Sequence, residues 1–314
     1  MQEIEHDKNS STKVVSEFYN AFPFPSQKAS ELLESSFDWR LSLEDVFAFC
    51  EGVLGYPIKI DPNINILDAG CGTGLSTHSL ASLNEFSEIL AIDISESSLE
   101  IAKKRILTSK IKNKSKVKFR QINLLDLNVE NSFDFINSIG VLQHLDNPFS
   151  GINALARALK HDGILRLFLY SESGRREINR LRRVFQLMSI DERSDYLFFA
   201  QKIILGLEDS NPLKIDFLRN FSHTSFSEVD FADMYLHPFE KSFDLAQLFD
   251  LIDSSGLEFV SFLNPKEWSL ERLLNDESLS LARALPLRTQ LHIIENLNTK
   301  PSHFDFFLIK KDSD

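Results

Sequence analysis

At 314 residues the chain is long enough for one large domain or for a core with a sizeable accessory part. Hydrophobic residues make up 43% and charged residues 25%, a globular balance that argues against disorder. The net charge of -12 argues against a general DNA or RNA binder, because phosphate neutralisation needs clustered lysine and arginine. Cys50 and Cys71 are too few for a disulfide framework, and the polar start Met1–Asp7 lacks the basic and apolar regions of a signal peptide. The apolar runs are too short to span a bilayer, and Ile164–Tyr170 carries an arginine. A soluble cytoplasmic protein without membrane or nucleic-acid partners is expected, its 27 phenylalanines mostly packing a core.

From Asn63 to Tyr170 short apolar strands alternate with amphipathic helices, the pattern of a parallel α/β sheet. Residues 64–68 read as a first strand, followed by a glycine loop and a helix over 75–83. Residues 88–93 form the second strand. Ser97-Ser98-Leu99-Glu100 reads as a capping box, with Leu99, Ala102 and Ile106 on one helix face. The alternating segment 117–122 suits an edge strand, and 133–138 a fourth strand. A helix over 148–160 stops near Gly163, and 164–170 is the fifth strand. Residues 171–241 read as a helical, irregular stretch. The helix with Leu245, Leu248, Phe249 and Ile252 on one face ends at Gly256, followed by a strand over 257–263. Residues 268–296 read as helical, and 304–309 as the last strand.

The expected organisation is an N-terminal helical segment over 1–62, a core over 63–170 and 242–314, and a helical insertion over 171–241. The segment and the insertion are read as a lid and a substrate cap.

Asp68-Ala69-Gly70-Cys71-Gly72-Thr73-Gly74 joins the first strand to a helix. Glycines let the backbone turn tightly and approach a ligand, and the helix that follows offers it free N–H groups. Asp93 ends the second strand about twenty residues downstream, where an acid binds ribose hydroxyls in dinucleotide folds. A dinucleotide fingerprint needs its third glycine at position 75, and that residue is Leu75.

Ile66-Leu67-Asp68-Ala69-Gly70-Cys71-Gly72-Thr73-Gly74 instead resembles motif I of the class I S-adenosylmethionine (SAM)-dependent methyltransferases. Ala91-Ile92-Asp93-Ile94-Ser95 resembles motif II, which implies that Asp93 holds the ribose diol. Gln121–Leu127 resembles the segment that meets the adenine amino group, with Asn123 or Asp126 in that role and Leu124 beside it. Phe133–Leu145 resembles motif IV, which places Ser138 near cofactor and acceptor. A narrower similarity, carried by Tyr170–Arg175 and His237, is to methyltransferase domains of some bacterial tetratricopeptide-repeat proteins, and Phe22-Pro23-Phe24-Pro25 resembles an aromatic-proline motif near the N-terminus of related bacterial enzymes. The resemblance implies a Rossmann-like seven-stranded sheet with an antiparallel last strand, and SAM contacts at Asp68, Gly70, Cys71, Gly72, Gly74, Asp93, Ile94, Asn123, Leu124 and Ser138.

Methyl transfer from a sulfonium is an in-line displacement, so alignment in a dry pocket matters most, and a base is needed only when the acceptor carries a proton that must leave. His144, just beyond strand four, is a candidate base or substrate ligand, or a cap on local backbone. Tyr170 stands at the same sheet edge, with Glu172 after it. Tyr19 and Phe22, with Phe24 and Trp39, form an aromatic segment that either covers the cofactor or packs on the sheet. His223 and His237 are further acceptor-side candidates, and Arg40 a candidate partner for the cofactor carboxylate. Arg175, Arg176, Arg180, Arg182 and Arg183 are either a solvated face or a mouth for an anionic acceptor. No histidine pair has zinc-helix spacing, so no metal is expected. The expected function is methyl transfer from SAM to a small-molecule acceptor. The alternatives are a protein or other macromolecular acceptor, a SAM-binding module without catalysis and, more distantly, an NAD-dependent oxidoreductase.

Overall fold

The computed structural model describes residues 10–26, 38–59, 63–190, 195–221, 227–298 and 303–310. Among the described residues two helices come first, α1 (Ser10–Ala21) and α2 (Leu43–Leu54), the second stopped by Gly55 in the left-handed region at φ 77°. The core begins with β1 (Asn65–Ala69), α3 (Leu75–Leu83), β2 (Glu88–Asp93), α4 (Glu96–Thr108), β3 (Val117–Gln121) and β4 (Phe133–Ile139). It continues through α5 (Pro148–Ala158) and β5 (Leu159–Tyr170). The insertion then holds α6 (Glu172–Leu187), α7 (Tyr196–Leu205), α8 (Pro212–Phe221), α9 (Glu228–Phe231) and a π-helical turn over Ala232–Leu236. The chain returns through α10 (Leu245–Asp253), β6 (Glu258–Phe262), α11 (Asp276–Arg283), α12 (Leu287–Leu297) and β7 (His303–Ile309).

The seven strands lie in the order β3-β2-β1-β4-β5-β7-β6, and β7 runs antiparallel to both its neighbours. Strand order reverses between β1 and β4, which opens a crevice at the carboxyl ends of these strands. β4 is central and buried along almost its whole length, whereas β3 stands at the edge and exposes alternate residues. One apolar cluster packs α5, α10, α11 and α12 on one sheet face, and a second packs α2 and α3 on the other. The insertion has its own core around Ile178, Leu181, Phe185, Phe231 and Tyr235, so it stands as a body beside the sheet.

Two local expectations are corrected. α4 is capped two residues earlier than Ser97, by Ser95, whose Oγ accepts from the Ser98 N–H at 3.1 Å. α5 ends at Ala158 rather than Lys160, and Gly163 belongs to a bulge at the start of β5. There Leu159 pairs with Phe133 and Ile164 with Phe135, so residues 160–163 loop out, with Asp162 at φ 60°. Among the described residues no helix is long and apolar enough to cross a membrane.

Candidate active site

A cavity of about 870 Å³ runs along the carboxyl ends of β2, β1, β4 and β5, beneath α1. Its floor begins at the glycine loop, where Gly70, Gly72 and Gly74 all have positive φ. A side chain at Gly72 would stand 2.4 Å from the Phe24 carbonyl oxygen, because Phe24 and Pro25 lie directly on the loop. The Thr73 N–H donates to Phe24 O at 3.1 Å and its hydroxyl to Pro25 O at 3.0 Å.

The N–H groups of the loop itself are paired within the protein. Gly70 and Cys71 donate to Ile92 O, Gly72 to Asp93 Oδ2 at 2.8 Å, Thr73 to Phe24 O and Gly74 to Cys71 O. These loop donors are spent within the protein rather than held open for a diphosphate. Asp93 also accepts from the Ser95 N–H at 2.8 Å. Burial holds its carboxyl above the ordinary value, and the N–H groups of Ser95, Gly72 and Ile94 oppose that shift. The carboxylate keeps lone-pair capacity for a further donor such as a ribose hydroxyl.

Behind the loop, Asp68 is buried and accepts from Thr77 Oγ1 at 2.6 Å and from Asn137 Nδ2 at 2.8 Å. Burial pushes it up to about 6, the Thr77 and Asn137 bonds opposing and the Asp93 charge adding. Toward β3 the cavity meets Ile94, Ile122, Asn123 and Leu124, whereas Asp126 is exposed and off the wall. Asn123 Oδ1 already caps the Leu125 N–H at 3.0 Å, so the amide oxygen has a structural duty as well.

The opposite end gathers side chains from four elements. His144, in the turn after β4, is buried, with Nδ1 2.9 Å from Phe239 O and Nε2 3.3 Å from the Tyr19 hydroxyl of α1. Only a donor suits a carbonyl, so Nδ1 carries the proton and Nε2 is an acceptor. Burial lowers His144 to about 4 and keeps it neutral. The Tyr19 hydroxyl donates to Asp233 Oδ1 at 3.1 Å. Asp233, in the π-helical turn, is pushed up to about 6 by burial, with Arg175 opposing. Tyr170 at the end of β5 joins the cavity wall, its phenol raised by burial, with the Arg175 guanidinium 3.4 Å over its ring.

Several expected contacts fall elsewhere. Ser138 is buried but does not line the cavity, because side chains alternate along β4 and Asn137 and Ile139 take that face. Gly74 lies against Ala102 of α4, where a side chain would stand 2.7 Å away, and is likewise off the wall. Phe22 packs on Phe18 and is not a wall residue, whereas Phe24 and Pro25 are. His237 sits behind His144 at 4.0 Å between ring centroids, held far below its ordinary pKa by burial. Arg175 and Arg182 are no anion-attracting mouth, since both donate to the buried carboxylate Oε2 of Glu240, at 2.8 and 2.9 Å. Arg176 and Arg180 are exposed beside Glu177, the solvated face. Trp39 lines the cavity and packs tilted against Phe49 of α2 at 5.1 Å and edge-on against Phe307 of β7 at 6.2 Å between ring centroids. His223 lies outside the described residues.

Residues not foreseen also stand on the wall: Asn137, Arg166, Asp233 and Asp305. Asn137, Arg166 and Asp305 each interrupt an apolar strand, and a polar residue there is a readable signal. Asp233 carries no such mark.

The residues present fit S-adenosylmethionine: a loop without open diphosphate donors, an acid at the end of β2, and one long cavity from that acid to the His144 end. The chain belongs to the class I SAM-dependent methyltransferases, enzymes that take SAM as methyl donor. The methyltransferase-domain family matches residues 67–165. An uncharacterized protein of Synechococcus sp. is 35% identical over 309 residues, which are 96% of this chain and 72% of that protein. The malonyl-[acyl-carrier protein] O-methyltransferase of Bacillus cereus is 36% identical over 124 residues, 40% of this chain and 43% of that enzyme. PKMT2 of Rickettsia typhi, solved with AdoHcy, shares the fold with a TM-score of 0.70 at 18% identity, over 89% of this chain and 55% of that one. The chain therefore spans about half the length of that solved structure, 55%.

Proposed function

We propose that the enzyme methylates a small-molecule acceptor held between α1, the insertion and the carboxyl edge of β4 and β5. The observation that carries this reading is the bond from Tyr19 to Asp233, which closes α1 onto the insertion over the His144 end of the cavity. A covered site of about 870 Å³ is at the large end of the roughly 300–1,000 Å³ usual for small-molecule pockets. That leaves room for a cofactor and a compact acceptor together.

SAM supplies a methyl group on a cationic sulfur, ready for in-line displacement. The protein's work is alignment and exclusion of water. Asp93 and the Ile94–Leu124 wall hold the nucleoside end, and Tyr170 and Tyr19 confine the acceptor. The single Tyr19 proton is directed at the Asp233 carboxylate, so His144 Nε2 keeps an open lone pair on the cavity. It takes the proton from an acceptor O–H or N–H as the new bond to carbon forms, and Phe239 O holds the ring in the tautomer that allows it.

Incubation of the enzyme with methyl-labelled SAM and a cell extract, followed by size fractionation, tests the reading. Label in the small-molecule fraction is expected, and its loss in His144→Gln is expected where the acceptor atom bears a proton. Label confined to protein or nucleic acid would overturn the acceptor class. No label anywhere, with SAM still bound, would point to a binding module.

A further inference from the structure

Asp68, Asn137 and Arg166 are register partners on three adjacent strands, Asp68 of β1 beside Asn137 of β4 and Asn137 beside Arg166 of β5. All three line the cavity. Asn137 spends its Nδ2 on Asp68, which leaves Oδ1 buried with no hydrogen-bond partner among the described residues. Arg166 is 2% exposed, and its Nε and Nη2 form a fork on Asp305 at 3.0 and 2.8 Å. Its Nη1 has no hydrogen-bond partner among the described residues, the nearest carboxylate oxygen, Asp38 Oδ2, standing 3.6 Å away. A buried acceptor and a buried N–H group of an ion-paired guanidinium, both without hydrogen-bond partners and side by side on a cavity wall, are costly unless a ligand satisfies both.

Arg40, the arginine that the sequence suggests for the cofactor carboxylate, is differently placed. Its Nε and Nη2 donate to Asp38 at 2.6 and 3.0 Å and its Nη1 to Asp305 at 2.7 Å, so every nitrogen is engaged. Asp305 of the antiparallel strand β7 thus orients both guanidinium groups, and only Arg166 keeps a nitrogen open.

We propose that the row Asp68-Asn137-Arg166 is the site for the amino-acid end of the cofactor, with Asn137 Oδ1 and Asp68 taking the ammonium and Arg166 Nη1 the carboxylate. An α-amino acid carries an ammonium and a carboxylate on one carbon, and the row offers an acceptor pair and a cationic donor on neighbouring strands. Asp305 is a positioning residue, since it turns Nη1 toward the cavity. The proposal rests on SAM as cofactor and is independent of the acceptor.

Calorimetric titration of the full chain with three thioethers tests it: S-adenosylhomocysteine, its decarboxylated form, and methylthioadenosine, which lacks the whole amino-acid end. The decarboxylated compound is expected to bind at least about tenfold more weakly than S-adenosylhomocysteine, and methylthioadenosine about tenfold more weakly again, as for loss of charge-assisted bonds. Arg166→Lys is expected to shrink the first gap below about threefold while leaving methylthioadenosine affinity unchanged. Arg40→Gln is expected to keep that gap. Equal binding of all three compounds by the unmodified chain would overturn the proposal, as would a gap that vanishes in Arg40→Gln. If Arg166→Lys fails to fold, the unmodified chain and Arg40→Gln decide it.

Discussion

The Tyr19 hydroxyl donates to Asp233 Oδ1 at 3.1 Å, tying the first helix to a turn of the insertion 214 positions further along the chain. It also stands 3.3 Å from His144 Nε2, so one hydroxyl touches all three parts that close the acceptor end. Loss of this group loosens the cover without touching the nucleoside end. Tyr19→Phe is expected to raise the acceptor KM and lower kcat by about tenfold each, while the SAM Kd by calorimetry changes less than twofold. A variant with weakened SAM binding and unaltered kcat would contradict this division.

Asp233 makes the site sensitive to pH in a definite direction. Burial raises its carboxyl in the folded chain from 3.8 to about 6. Between those values the folded chain binds more protons than the unfolded one, so this group's contribution to stability falls as pH rises through the window. Asp233→Asn lacks that penalty and still accepts from Tyr19. Its stability relative to the unaltered chain is expected to grow between pH 4 and pH 7, by at most about 3 kcal/mol, in denaturant titrations. His144, lowered to about 4, is neutral from about pH 5 upward, so no loss of kcat/KM centred near pH 6.5 is expected from its protonation.

Asp93 binds the glycine loop through Gly72 and its own turn through Ser95, both at 2.8 Å. Asp93→Ala removes an acceptor for the ribose and unties the loop together. A loss of SAM affinity of at least about a hundredfold is expected by calorimetry, with NAD showing no binding to either form. Micromolar SAM binding by the variant would move the ribose contact elsewhere.

Two glycine substitutions separate conformational need from mere position. Gly74 has φ 84°, and a Cβ there would lie 2.7 Å from Ala102 Cβ, so Gly74→Ala is expected to cost about 2–4 kcal/mol. Gly52 sits within α2 with nothing within 4 Å of a built Cβ. Gly52→Ala is therefore expected to stabilise the chain by about 0.5–1 kcal/mol, and chemical denaturation of both variants checks the pair.

The strands and helices of the core, the glycine loop, Asp93 and the family were legible in the sequence, because each rests on short-range regularities. Apolar alternation has a fixed period, and a glycine loop between strand and helix with an acid at the next strand end has a local spacing. The sequence also marked where the rhythm broke, at the insertion after β5. Which atoms meet across the sheet was decided only by tertiary structure. The arginine of Ile164–Tyr170 speaks in the sequence only against a membrane span, yet in the fold Arg166 meets Asp305, 139 residues away, because β7 runs antiparallel beside β5. Arg175 reads as one of five arginines on either a solvated face or a mouth for an anionic acceptor, but helix phase turns it inward to Glu240. Tyr19, His144 and Asp233 come from an early helix, a turn and a distant insertion, and no periodicity links them. Local pattern determines which elements form and where the cofactor loop stands. The partners of the buried charges and the closure of the acceptor end depend on strand order and packing, which bring distant residues within hydrogen-bond reach.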